Sequence, residues 1–136
     1  MPNARLPISL RQILLADAVT CAAMGILLTL AHDSIGGLTQ IPELLLIYAG
    51  FSLFPIAVFM LLVALFWLHR PPAVWLVIAG NGLWVAASLA LISGLISANI
   101  FGIAFIGIQA LAVAALAWLE FVALKAALRD PSGQAV

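Results

Sequence analysis

Long runs of apolar residues, separated by short polar segments, dominate this chain. Each of four runs reaches about 20 residues, the length that a helix needs to cross about 30 Å of hydrocarbon. Strands of a membrane β-barrel would instead alternate apolar and polar residues over about ten positions. The pattern therefore predicts an all-α membrane protein, a bundle of four transmembrane helices over about residues 10–31, 42–68, 73–93 and 99–126.

Local signals mark where these helices begin and end. Ser9 followed by Gln12 resembles a capping box, and Pro42 suits the first turn of a second helix. Gly94 is predicted to close the third span, and two adjacent glycines predict a flexible loop over residues 32–41. The first run is longer than the apolar core of a signal peptide and contains an acid, so it is interpreted as a span.

Composition supports a membrane protein of one domain, residues 1–136. The chain is 66% hydrophobic and only 7% charged, whereas soluble domains carry about 25% charged residues. Five basic residues balance five acidic ones, which leaves no basic surface for nucleic acid. No known catalytic or nucleotide-binding motif is present, and one cysteine excludes an internal disulfide. We therefore expect a non-enzymatic protein without cofactor or metal.

The distribution of basic residues predicts the orientation in the membrane. With four spans, all five would lie on the same side of the bilayer, and basic residues beside spans favour the cytoplasm. We therefore expect a multi-pass protein of the bacterial inner membrane with both termini in the cytoplasm. These residues are Arg5, Arg11, Arg70, Lys125 and Arg129.

Four polar residues within the spans are predicted to face the interior of the bundle, because an acid at a helix centre costs about 2.5–3.5 kcal/mol in lipid. They are Asp17, Asn81, Gln109 and Glu120. Helix depth predicts that Asp17 meets Asn81, with Gln109 as a further partner. Glu120 is expected near the cytoplasmic interface, where Arg11 could pair with it. The alternative is a structural role, since amides often join membrane helices by hydrogen bonds.

A second set of residues is predicted to line a ligand site on the inner faces of spans two and three. These candidates are Tyr48, Ser52, Trp84 and Ser88. His32 and His69 are predicted on opposite sides of the membrane, so they could not bind one metal or haem together.

Three stretches of the chain resemble a known group of proteins. They are residues 14–18 (LLADA), residues 81–88 (NGLWVAAS) and residues 109–113 (QALAV), the last followed by Glu120. The chain resembles small four-span inner-membrane proteins of proteobacteria, a family without an assigned activity. The resemblance implies the fold and the membrane location only.

Three functions remain open from the sequence. The favoured one is an accessory or assembly subunit of a larger membrane complex, whose partners would be the lipid bilayer, other membrane proteins or further copies of this chain. The first alternative is a small proton-coupled transporter that uses Asp17. The second is a subunit that binds a lipid or a quinone.

Overall fold

The computed structural model describes residues 9–129, and within them the chain forms five α-helices and no strand. Arg5, one of the basic residues used to predict orientation, lies outside this range. The helices are α1 (Leu10–Leu30), α2 (His32–Thr39), α3 (Glu43–Phe66), α4 (Pro71–Ala90) and α5 (Ile100–Arg129), and a π-helical turn, Leu91–Leu95, extends α4.

Four of these helices, within the described range, are long and apolar enough to cross a membrane: α1, α3, α4 with its π-helical turn, and α5. The prediction of an all-α bundle of four long apolar helices is confirmed. At about 1.5 Å per residue, even α1 with its 21 residues reaches about 30 Å. The fold is therefore compatible with a multi-pass integral membrane protein.

Capping and backbone conformation explain the helix ends. The Ser9 side chain accepts a hydrogen bond from the Gln12 backbone N–H, and the Gln12 side chain accepts one from the Ser9 N–H. This is the predicted capping box. Gly94 has φ 132°, a conformation open to glycine and strained for other residues, and it ends the third long helix.

The segment predicted to be a flexible loop is helical instead. Residues 32–39 form α2, and its buried Thr39 donates a side-chain hydrogen bond to the Ile35 backbone oxygen. The Thr39 backbone oxygen also accepts from the Asn99 N–H at 3.0 Å, which ties α2 to the start of α5. The glycine pair did not produce a loop because these tertiary contacts stabilise the helix.

The long helices form two closely packed pairs, α1 with α3 and α4 with α5, and α1 also contacts α5. Glycine allows the first pair to approach: a Cβ on Gly25 would lie 3.1 Å from the Gly50 backbone oxygen, and one on Gly50 would lie 2.8 Å from Thr29 Cγ2. In contrast, α3 and α4 hardly touch, although they follow one another in the chain. The bundle is consequently open between α3 and α4.

Candidate functional site

Two carboxyl groups and one amide meet in the centre of the bundle. Asn81 Nδ2 on α4 donates to Asp17 Oδ2 on α1 at 2.7 Å and to Glu120 Oε1 on α5 at 2.9 Å. The three residues are 1% (Asp17), 5% (Asn81) and 0% (Glu120) exposed. Side chains from three helices thus form one buried polar group, here called the acid pair site.

The acid pair site has one polar atom without a partner. Glu120 Oε2 is buried and accepts no hydrogen bond, although the Glu120 and Asp17 carboxyl groups both accept from Asn81 Nδ2. Buried polar groups are nearly always hydrogen-bonded. A proton on one carboxyl group would supply the missing bond between the two acids, because a protonated carboxyl group donates.

No cation neutralises the two acids within the described part of the chain. Arg11 Nε donates to the Ala64 backbone oxygen at 3.0 Å, and the Lys125 ammonium lies over the Phe121 ring at 5.6 Å from its centre. The expected pairing of Arg11 with Glu120 is therefore wrong. Glu120 itself is fully buried between the helices, at 0% exposure.

Cys21 is a second side chain in contact with the Asp17 carboxyl group. Its Sγ lies 3.7 Å from Asp17 Oδ1 and 3.8 Å from Met60 Sδ, so the thiol makes weak contacts with both α1 and α3. Thr20 faces outward, and its hydroxyl donates to the Asp17 backbone oxygen rather than to the carboxyl group. Only Asn81 and Cys21 therefore contact the Asp17 carboxyl group through side-chain hydrogen bonds within residues 9–129.

Gln109 belongs to a second, separate polar group. It accepts a hydrogen bond from Trp84 Nε1 and donates to Ser88 Oγ, both at 2.9 Å. Its Nε2 also donates to the Ile106 backbone oxygen, and the Ser88 hydroxyl donates to the Trp84 backbone oxygen. Gln109 therefore joins α5 to α4. It does not contact Asp17, although the sequence had suggested that it could.

Two of the predicted ligand-facing residues point away from the bundle. Tyr48 is 64% exposed, and the exposed Ser52 donates only to the Ala49 backbone oxygen. The buried face of α3 instead carries Leu46, Gly50, Leu53 and Ala57, at the spacing of successive helical turns. Gly50 at the contact with α1 determines this rotation, so the polar stripe of α3 faces outward.

The gap between α3 and α4 opens into a cavity of about 300 Å³ that reaches the acid pair site. Its wall is apolar except for Asn81 and Cys21 and the indole of Trp84. The lining residues include Leu53, Pro55, Phe59, Met60, Leu76 and Gly80. A second cavity of about 180 Å³ lies on the other side of Trp84, next to Ser88 and Gln109. Ligand pockets begin at about 300 Å³, and of these two cavities only the one lined by Asn81 reaches this volume, so it is the candidate binding site.

One polar contact at the opposite end of the bundle has no signal in the sequence. His32 Nδ1 lies 3.0 Å from Glu43 Oε2, which joins α2 to the start of α3. Across residues 9–129, no three His, Cys, Asp or Glu side chains are positioned to hold a metal ion.

Comparison of the chain with models of protein families, with curated proteins and with solved structures gives no match.

Proposed function

We propose that this protein is a small proton-coupled transporter of the bacterial inner membrane, and that Asp17 and Glu120 together bind the coupling proton. The observation that carries the proposal is the acid pair site: Asn81 Nδ2 holds two buried carboxyl groups at 2.7 and 2.9 Å. Two carboxylates in such a site repel each other and are poorly solvated, so one of them holds a proton. Glu120 Oε2, buried without a partner, is the natural position of that proton.

The cost of two acids in the bundle supports a function beyond packing. Interhelical hydrogen bonds in membranes contribute about 0.6 kcal/mol on average, whereas each acid costs about 2.5–3.5 kcal/mol to insert at a helix centre. Hydrogen bonding alone therefore repays only part of the cost of Asp17 and Glu120. Their position beside a cavity lined by Asn81 and Cys21 gives the proton a neighbouring space in which a substrate can bind.

The orientation that we propose places both termini and Arg70 in the cytoplasm. The contact of Arg11 with the Ala64 backbone oxygen supports one part of it, because it brings the start of α1 and the end of α3 to the same side of the membrane. The basic residues of the described chain then share one end of the bundle, and the pair His32 and Glu43 lies at the other.

Reporter fusions test this orientation. Alkaline phosphatase fused after Gly37 is expected to be active, since that site is periplasmic, whereas the same enzyme fused after Arg70 or Val136 is expected to be inactive. Green fluorescent protein fusions at the same three sites provide the reciprocal control, because they fluoresce in the cytoplasm. Active phosphatase at Val136 would contradict the proposed orientation.

Infrared spectroscopy of the protein in lipid nanodiscs tests whether a carboxyl group of the acid pair site is protonated. The wild-type spectrum is expected to contain the carbonyl band of a protonated carboxyl group, and this band should shift when H₂O is replaced by D₂O. Asp17→Asn and Glu120→Gln each keep the shape and the hydrogen-bonding capacity of the side chain. Glu120→Gln is expected to remove the band, because it removes the group that holds the proton, and Asp17→Asn is expected to shift the band, because the proton loses its charged neighbour. A transporter must exchange its proton with water, so a shift within minutes supports transport.

The second candidate is the accessory or assembly subunit, and a shallow groove on the outer face of α4 and α5 favours it. Small side chains line this groove, among them Gly82, Ala114 and Ala117, and such residues allow close helix approach. For this function the acid pair would only join helices. The protonated-carboxyl band would then not shift when H₂O is replaced by D₂O, or both acids would be ionised and the band would be absent. Either result excludes the transporter.

A further inference from the structure

We propose that the cavity between α3 and α4 binds a small lipophilic amine in its ammonium form, with the ammonium group at Asn81 Oδ1. This inference rests on the proposed function, because it assigns the substrate class for the same acid pair site. It follows from the polar atoms at the inner end of the cavity, from their charge, and from the side on which the cavity opens.

The polar atoms of the cavity select a ligand that donates a hydrogen bond. Asn81 Nδ2 already donates to both Asp17 and Glu120, so its carbonyl oxygen, Oδ1, is the remaining polar atom. Within residues 9–129 the side-chain hydrogen bonds of Asn81 are made by Nδ2 and not by Oδ1, and Asn81 lines the cavity. The indole N–H of Trp84 is likewise engaged, with Gln109. A quinone carbonyl would find no free donor here, whereas an N–H group finds an acceptor.

The charge at this end of the cavity favours a cation. Two carboxyl groups lie directly behind the Asn81 amide, and Arg11 and Lys125 make their contacts elsewhere. A bound ammonium group could therefore provide the positive charge that the shared proton otherwise supplies. The proton and the ammonium would compete, because the shared proton lowers the negative charge of the pair from two to one and so weakens its attraction for a cation. This competition gives a physical basis for coupling.

The cavity opens toward the hydrocarbon rather than toward water. Its mouth lies where α3 and α4 hardly touch, and it is lined by the exposed residues Pro55, Leu76 and Gly80. Leu76 is 62% exposed. A ligand would enter sideways from the bilayer, so it must be apolar apart from its head. A volume of about 300 Å³ equals that of about ten water molecules in the liquid, which suits an amine with an alkyl chain of about eight carbons.

Three probes of equal size separate the contribution of the ligand's positive charge from that of its hydrogen-bond donor. Octylammonium has the charge and the N–H donors, 1-octanol has a donor without the charge, and tetraethylammonium has the charge without a donor. All three contain the same number of non-hydrogen atoms. Octylamine is protonated at pH 7, as is a lysine side chain.

Calorimetric titration of protein in nanodiscs, with empty nanodiscs as reference, measures binding of each probe. We expect saturable binding of one octylammonium per chain. Binding of 1-octanol and of tetraethylammonium should be at least about tenfold weaker, since each lacks one part of a charge-assisted hydrogen bond. Equal affinity for octylammonium and 1-octanol would overturn the assignment of a cation. Equal affinity for octylammonium and tetraethylammonium would overturn the role of Asn81 Oδ1.

Two glycines of α4 provide a matched pair of variants. A Cβ on Gly80 or on Gly82 would meet no atom within 4 Å, so a larger side chain is tolerated at both positions. Gly80 lines the cavity, whereas Gly82 lines the outer groove. Gly80→Phe should weaken octylammonium binding at least about tenfold, and Gly82→Phe should leave it unchanged. Unchanged binding in Gly80→Phe would refute the location.

The infrared experiment distinguishes failure of this inference from failure of the proposed function. If the exchangeable carboxyl band is present and octylammonium does not bind, the substrate class is wrong and the proton site stands. If the band is absent in wild type, the proton site is wrong, and with it the coupling on which the inference rests.

Discussion

Asn81→Leu is expected to lower the free energy of unfolding by about 2–4 kcal/mol, because the amide donates to one ionised and one protonated carboxyl group, and such bonds are worth about 1.5–3 and about 0.5–1.5 kcal/mol. The substitution removes both Nδ2 contacts, to Asp17 at 2.7 Å and to Glu120 at 2.9 Å. It also leaves two carboxyl groups facing each other in an apolar setting without the donor that separates them. Reversible unfolding in mixed micelles with increasing sodium dodecyl sulfate measures the change.

A second variant tests whether the loss arises from the acids. In the background of Asp17→Leu with Glu120→Leu, Asn81 has no carboxyl partner, so adding Asn81→Leu should cost little or even stabilise the bundle. This difference between backgrounds is the coupling energy of the site. An Asn81→Leu variant as stable as wild type, or an equal loss in both backgrounds, would contradict the hydrogen-bonded acid pair.

Gly50→Leu is expected to lower the free energy of unfolding by about 1–3 kcal/mol through overpacking. A Cβ at this position would lie 2.8 Å from Thr29 Cγ2, 3.0 Å from Leu28 Cβ and 3.1 Å from the Thr29 backbone nitrogen. Because a backbone atom is among these neighbours, rotation of a side chain cannot relieve the contact. Helices α1 and α3 must therefore separate, and the acid pair site would lose the close packing around Asp17.

Gly82→Leu is the matched control for Gly50→Leu. Both glycines lie inside long helices, and both variants gain the higher helix propensity of leucine, but a Cβ at Gly82 meets nothing within 4 Å. We therefore expect Gly82→Leu to be as stable as wild type or slightly more stable in the same unfolding assay. If the two variants lose equal stability, then the contact of α1 with α3 is not as close as described.

The elements of the fold were predictable because long apolar runs admit few structures in a membrane. The contact between Asp17 and Asn81 was predictable too, since both acid and amide had to face inward and both lie about 10–15 Å from the same end of the bundle. These predictions used only hydrophobicity, helix rise and the cost of a buried polar group.

The remaining members of the site were not predictable, because they depend on helix rotation. Glu120 was expected to pair with Arg11 but contacts Asn81, and Tyr48 was placed inward since polar residues were expected inside. In α3 the close approach at Gly50 determines the rotation, so Tyr48 faces outward at 64% exposure. The small residues Gly50 and Ala57, on the same face as Leu46 and Leu53, were the available signal.

Isotope-edited infrared spectroscopy can determine whether Asp17 and Glu120 share one exchangeable proton. The chain contains only five acidic residues, so labelling all aspartates or all glutamates with ¹³C at the side-chain carboxyl carbon leaves few groups to assign. We expect one protonated-carboxyl band in wild type that shifts in D₂O and responds to both labels, because the two acids are coupled through the proton. A band that responds to neither label, or two acids that are both ionised at pH 7, would contradict the shared proton.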